Sequence, residues 1–373
     1  MLQQDGECKK EHVEALELAI AALQEHPDWV GVTPGTVTVK SLKACERNHL
    51  FLLSSKSGKA SAVIHFEYGN PRLVTAHMML VRAGLAVDIL ALAPHARDGF
   101  STNAESGQWP LTTWCAMAYG AAPGGDFTGA LIARLHKLPT SWFEPFRAEI
   151  LGDLPMLAEE PANSALYPYV CCCSEVAKHI PSEKLRELMA LLPRPSGQHA
   201  ERLVTVHGDL HGGNLFRMSS DGPQLLIDFE YTSVSSAVQD LAWICDDLDF
   251  MQEYLQEMLG RAPTTDEVEA LAFESMIAYH IHMYVLREVI WFKSLPHPEG
   301  KTLAEITVML DSFLDHARSL ADVVAVIRAS PALRQAVVAG EPAEFEGGGC
   351  TFDKEIFLKM QALVKASTSD SQL

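Results

Sequence analysis

Between Val206 and Tyr231 the chain reads VHGDLHGGNLFRMSSDGPQLLIDFEY, a short polar loop running straight into a hairpin. LFRM at 215–218 and QLLID at 224–228 have strand character, and SSDGP between them supplies turn residues. A hairpin returns its second strand beside the start of the first. Asp228, at the end of that second strand, is therefore expected beside Asn214, with His207 and Asp209 just upstream. Gly212 and Gly213 allow the backbone between them to fold tightly. A loop that only packs has little use for three polar positions, two adjacent glycines and a strand-terminal acid in this order.

His207, Asp209 and Asn214 have the H-x-D-x-x-x-x-N spacing of a phosphoryl-transfer loop. The chemistry accounts for the residue types. A carboxylate must orient the attacking hydroxyl and accept its proton, while separate oxygen ligands hold Mg²⁺ against the departing phosphates. Asp209 suits the first task, and Asn214 with Asp228 the second.

HGDLHGGN followed by LLIDFEY resembles the aminoglycoside phosphotransferase and choline/ethanolamine kinase superfamily, and IDFEY resembles the choline/ethanolamine kinase branch in particular. The resemblance implies an α+β, two-lobed protein-kinase-like fold with a small antiparallel-sheet N-lobe and a larger, mainly helical C-lobe. It implies ATP and Mg²⁺ as cofactors and a small-molecule alcohol as acceptor, with no nucleic-acid partner and no membrane insertion. Residue by residue, Asp209 becomes the catalytic base, His207 a loop-shaping residue, and Asn214 and Asp228 the magnesium ligands. Asp240, in VQDLAW, becomes the brace of the catalytic loop. Glu230 falls where the choline branch also has Glu, on the substrate side, and Asp247 is the nearest equivalent of a substrate-facing Glu. CERNHLFLL at 45–53 is similar to the family's Asn-bearing turn, which makes Arg47 and Asn48 candidates for the nucleotide, with His65 where a cation is expected.

The N-lobe departs from the pattern. Kinases of this fold grip the nucleotide phosphates with a basic residue on the third strand, paired with a Glu on the next helix. SAVIHFEYGNP at 61–71 has no Lys or Arg, and 73–84 has no Glu. The ACERN turn at 44–48 also lacks a glycine. Lys40, Lys43, Arg47, Lys59 or Arg72 must supply the charge from another angle, or nucleotide binding is altered. A degenerate kinase-like binding protein without turnover is the reading from a different class.

A formal charge of −19, from 29 Lys and Arg against 48 Asp and Glu, repels phosphate backbones and anionic headgroups and draws in cations. A quaternary ammonium is held by aromatic faces beside a carboxylate. Tyr279, Tyr284 and Trp291, with Trp243 and Asp246, Asp247 and Asp249, are the candidates for that task, although core packing is the better account of any single aromatic at helical spacing. Choline or ethanolamine is the preferred acceptor, with an aminoglycoside or another alcohol as the alternative.

Other chemistries lose their signatures. GDLHG also opens metallophosphoesterase sites, but no GD-x-x-D or GNH block follows. Walker, dinucleotide-binding and nucleophile-elbow patterns are absent. The 8 Cys include no C-x-x-C pair, and Cys171, Cys172 and Cys173 read as packing residues. His280 and His282 are two apart and so do not share a helix face. The opening residues lack a basic segment leading into an apolar one, so the expected address is cytoplasmic.

Periodicity predicts a helix over 11–26, strands over 37–43, 49–54 and 61–67, a helix over 72–84 ended by Gly84, and sheet completion from 87–93 and 111–117. Asp126 is the expected N-cap of FTGALIARLHKL, and Thr264 with Glu267 and Thr302 with Glu305 predict capping boxes. The expected organisation is an N-terminal helix at 1–29, an N-lobe at 30–120, a C-lobe at 121–366 and a mobile tail at 367–373.

Overall fold

A computed structural model describes residues 3–5, 10–42, 50–66, 70–93, 114–119, 122–147, 182–281, 303–339 and 352–370. Lys43, Arg47, Asn48, Cys171 to Cys173, His282, Tyr284, Trp291 and Thr302 lie outside those residues. The chain divides into two compact units, 1–127 with 211–230, and 128–210 with 231–373. The expected boundary near residue 120 therefore omits one exchange: residues 211–230, with their hairpin, group with the first unit.

The first unit is built on a six-stranded sheet in the order β1-β2-β3-β4-β6-β5. The strands are β1 (Gln3–Asp5), β2 (Val37–Leu42), β3 (Leu50–Ser55), β4 (Ser61–Phe66), β5 (Ile89–Leu92) and β6 (Trp114–Ala118). Five run antiparallel in the expected manner, and β1 adds a parallel edge that no sequence pattern announced. Helix α1 (Lys10–Leu23) turns Leu16, Ala19, Ile20 and Leu23 into the core, while Leu18 stays exposed. The 3.6-residue period places these side chains on one stripe, where they join Val37, Val39, Leu53, Ile64 and Phe66 from the sheet. Each such burial contributes about 1.5–3 kcal/mol.

Helix α2 (Pro71–Arg82) starts where Asn70 Oδ1 accepts the Arg72 amide at 2.9 Å and Pro71 presets the first helical φ. It stops at Gly84, whose φ of +65° is the left-handed terminator expected there. The same unit holds β7 (Ala122–Pro123), β9 (Leu215–Arg217) and β10 (Gln224–Leu226) as a three-stranded sheet with β9 central.

The second unit is mostly helical around a two-stranded ladder of β8 (Leu203–Val206) with β11 (Ser233–Ser236). Its helices are α3 (Gly129–His136), α4 (Ser182–Leu191), α5 (Val238–Leu241), α6 (Leu248–Leu259), α7 (Thr265–His280), α8 (Leu303–Arg328), α9 (Pro331–Val338) and α10 (Phe352–Asp370). Helix α3 is capped by Thr128, whose hydroxyl accepts the Leu131 amide, and not by Asp126. It packs on α6 so closely that a Cβ on Gly129 would lie 2.3 Å from the Tyr254 amide nitrogen. The Thr264 and Glu267 capping box is formed at the start of α7. Residues 367–370 continue α10 and are not a tail: Ser367 Oγ donates to the Val364 carbonyl. The sheet unit and the helical unit give the chain its α+β composition. Among the described residues no helix is long and apolar enough to cross a membrane.

Candidate active site

In the second unit the segment after β8 is held by a buried carboxylate. Asp240, in α5 and fully buried, accepts the His207 amide at 2.7 Å through Oδ2 and the Gly208 amide at 2.8 Å through Oδ1. Buried charge is costly unless its lone pairs are filled, and here the loop backbone fills them. Oδ2 also receives His136 Nε2 at 3.1 Å. With its proton on Nε2, His136 accepts at Nδ1 from the Tyr254 hydroxyl at 2.9 Å. Burial pushes the Tyr254 hydroxyl up, well above its ordinary value, so it remains a donor. A chain of Tyr254, His136 and Asp240 thus runs from α6 through α3 to the loop.

Gly208 turns the loop with a φ of +87°. A Cβ there would lie 2.6 Å from the Tyr231 carbonyl oxygen, so both the dihedral and the space demand glycine. The next amide, on Asp209, donates to His207 Nδ1 at 3.3 Å, and the His207 carbonyl accepts the Thr232 hydroxyl. His207 is fully buried and shapes the loop from within, while Asp209 is partly exposed.

In the first unit Gly212–Asn214 form a single helical turn whose entry is capped by His211 Nδ1, which accepts the Gly213 amide. Neither Gly212 nor Gly213 has a positive φ, and a Cβ on Gly212 would meet open space. Gly208 is required by both dihedral and space, whereas Gly212 is required by neither and a Cβ on Gly213 would meet only the exposed His211 ring, at 2.8 Å. Asn214 is buried, and its carbonyl accepts the Ile227 amide at 3.1 Å, one residue beyond the Leu215–Leu226 pair of the hairpin. That places Asn214 and Asp228 at the same end of β9 and β10. Asp228 is two residues past its strand, with a φ of +65°, the sole positive φ outside glycine among the described residues. Such a conformation costs about 1–2 kcal/mol for an ordinary residue and is most tolerated by Asn and Asp.

A carboxamide and a carboxylate are hard oxygen donors of the kind Mg²⁺ takes while keeping water and phosphate in its remaining positions. Among the described residues no group of three or more His, Cys, Asp or Glu is placed to hold a metal ion. Asn214 and Asp228 therefore fit the ion.

Of the other candidates, His65 lies on β4 opposite Leu50 and is half-buried. Lys40 and Lys59 are exposed. Arg72 is the buried cation of the first unit: its Nη2 donates to the Glu230 carbonyl at 2.5 Å. Glu230 itself is exposed. Asp247 caps α6, its Oδ1 accepting the Phe250 amide at 2.9 Å, which gives that carboxylate a structural task. Tyr279 is buried edge-on against Trp243, with ring centroids 6.4 Å apart. His280 Nε2 lies 2.8 Å from His316 Nε2, so its partner is on α8. His136, Tyr254 and Gly208 take no site role in the motif reading, and Arg72 enters it only as one of five candidate cations. The HGD glycine and the His of IARLHKL were visible, but nothing in their spacing ties them to Asp240.

The sequence profile of the phosphotransferase enzyme family matches residues 87–271, a segment that contains His207, Asp209, Asn214, Asp228 and Asp240. Over that segment, just under half of the chain, the sequence is similar to the phosphotransferase enzyme family. That match makes it a phosphotransferase. None of the curated proteins matches its sequence. Similar solved structures include a choline kinase from Cryptosporidium parvum, 14% identical over 85% of this chain and 98% of that one with a TM-score of 0.45. A Plasmodium vivax ethanolamine kinase is 12% identical over 86% and 97%, with a TM-score of 0.45. A putative aminoglycoside phosphotransferase from Ralstonia eutropha is 15% identical over 83% and 98%, with a TM-score of 0.46.

Proposed function

We propose that this phosphotransferase moves the terminal phosphoryl group of ATP to the hydroxyl of a small cationic alcohol, choline or ethanolamine, with Asp209 as base. The observation that supports it most is the double hydrogen bond from the His207 and Gly208 amides to Asp240. It fixes the backbone that carries Asp209, and a base gains most when its orientation is paid before the reaction.

In this reading the acceptor hydroxyl gives its proton to the Asp209 carboxylate. Its oxygen bonds to the γ-phosphorus as the bond from that phosphorus to the bridging oxygen breaks, and ADP leaves with the electron pair. Asn214 and Asp228 would hold Mg²⁺, which when bound neutralises charge on the phosphate oxygens. His207 and Asp240 touch no substrate and serve the loop. The acidic surface, with its net charge of −19, favours a cationic acceptor by steering.

The test is transfer of labelled phosphate from Mg·ATP to a panel of choline, ethanolamine, aminoglycosides and uncharged alcohols. Labelled phosphocholine or phosphoethanolamine, formed with kcat/KM well above that of the uncharged alcohols, supports the reading. Preference for an aminoglycoside moves the acceptor, and transfer to none of them removes the small-alcohol assignment.

A further inference from the structure

Helix α2 and the residues that follow it grip the chain on both sides of Asp228. Arg72, in the first turn of α2, donates from Nη2 to the carbonyl of Glu230, two residues after Asp228. His77, in the middle of the helix, lies against the ring of Phe229 with centroids 4.9 Å apart. Beyond the helix, the Leu85 carbonyl accepts the amide of Leu226, two residues before Asp228, at 2.8 Å, and Ala86 bridges to the same Leu226. His77 is tied in turn to that following segment, its Nε2 donating to the Val87 carbonyl at 2.8 Å. Arg72 and His77 are both buried, so neither contact is a loose surface encounter.

A non-glycine residue keeps a left-handed backbone only where its surroundings determine it from several directions. Here residues 226, 229 and 230 are all anchored to one helix and its exit, and the residue they enclose is the one with a φ of +65°. We infer that Arg72 and His77 are positioning residues that set the Asp228 carboxylate for its divalent cation, by a backbone clamp and a ring contact. The inference rests on the reading of Asp228 as a metal ligand.

The test uses Mn²⁺ as a spin probe in place of Mg²⁺, titrated into the full-length protein with ADP present, alongside thermal unfolding. Asp228→Asn should weaken Mn²⁺ binding, and Arg72→Met should weaken it about tenfold or more, the usual cost of losing a residue that orients a metal ligand. Arg72→Lys, which keeps one donor for the Glu230 carbonyl, should recover part of the loss. Asn70→Ala removes the cap of the same helix and should lower the unfolding temperature while leaving Mn²⁺ affinity within about twofold, since the cap does not touch the Asp228 turn. Mn²⁺ affinity unchanged in Arg72→Met, beside a loss in Asp228→Asn, overturns the positioning role and leaves the metal role standing. An equal loss in Asn70→Ala overturns it as well, because helix stability alone would then explain the effect. No loss in Asp228→Asn removes the metal role first. Should Arg72→Met fail to fold, Arg72→Gln and His77→Gln give the same comparison.

Discussion

The Asp240 carboxylate accepts the His207 amide at 2.7 Å with no water-exposed surface on either residue. The oxygen that does so also receives His136, and the other oxygen receives Gly208. The carboxylate is therefore an acceptor on every side, and an amide of the same shape cannot replace it: one end of Asn would bring a donor against a donor.

Asp240→Asn should cost about 3 kcal/mol or more, from charge-assisted bonds lost and a buried N–H left facing another. Turnover should fall about a hundredfold, the scale expected when a catalytic group drifts by an ångström. Urea unfolding gives the first quantity and kcat the second. A variant of ordinary stability would mean the loop amides find other acceptors.

Gly208→Ala should be severe, because its Cβ meets the backbone oxygen of Tyr231 at 2.6 Å and a φ of +87° is unfavourable for alanine. A loss of about 2–4 kcal/mol follows from strain and overpacking together. Gly212→Ala, with nothing within 4 Å of the new carbon, should leave the unfolding midpoint close to wild type. If the two substitutions cost the same, the geometry assigned to Gly208 is wrong.

That contrast shows where the sequence was legible. Hydrophobic period and turn chemistry announced α1, β2 to β4 and the hairpin, since each is a local pattern acting over a few residues. The Gly212–Gly213 pair drew attention as a visible doublet, yet the requirement falls on Gly208 because Tyr231, 23 positions away in sequence, occupies the space beside it. His136 and Tyr254 were equally hidden: a histidine on a helix reads as surface or packing until α6 and Asp240 are placed around it. Arg72 could be named among five cations but not selected, since only the tertiary approach of the Glu230 carbonyl distinguishes it. The parallel strand Gln3–Asp5 has no apolar alternation to reveal it, being three polar residues on a sheet edge.

Asp209→Asn keeps the shape of the loop and removes the basic oxygen. Turnover should fall about a hundredfold to ten-thousandfold, the usual worth of a positioned general base. The Asp209 amide, which Asn keeps, still donates to His207 Nδ1, so the unfolding temperature should stay near that of the wild type. Full activity in this variant would remove Asp209 from the base role.

His77 gives the fold a pH dependence with a definite sign. Burial pulls its pKa down from 6.5 to about 4, more strongly than the Val87 carbonyl and the Asp88 charge raise it. The unfolded chain therefore binds a proton in the window between those values that the folded chain refuses. Neutral His77 contributes its full stability above pH 6.5, loses it progressively as pH falls, and contributes nothing below about pH 4. A displacement of this size corresponds to about 3 kcal/mol across the window. His77→Gln, which cannot titrate, should be less stable at pH 7 but should show a shallower loss on acidification, by about one proton in the slope of unfolding free energy against pH. Urea midpoints measured from pH 7 to pH 4 in both proteins give that slope. Parallel curves would show that His77 is not the group refusing the proton.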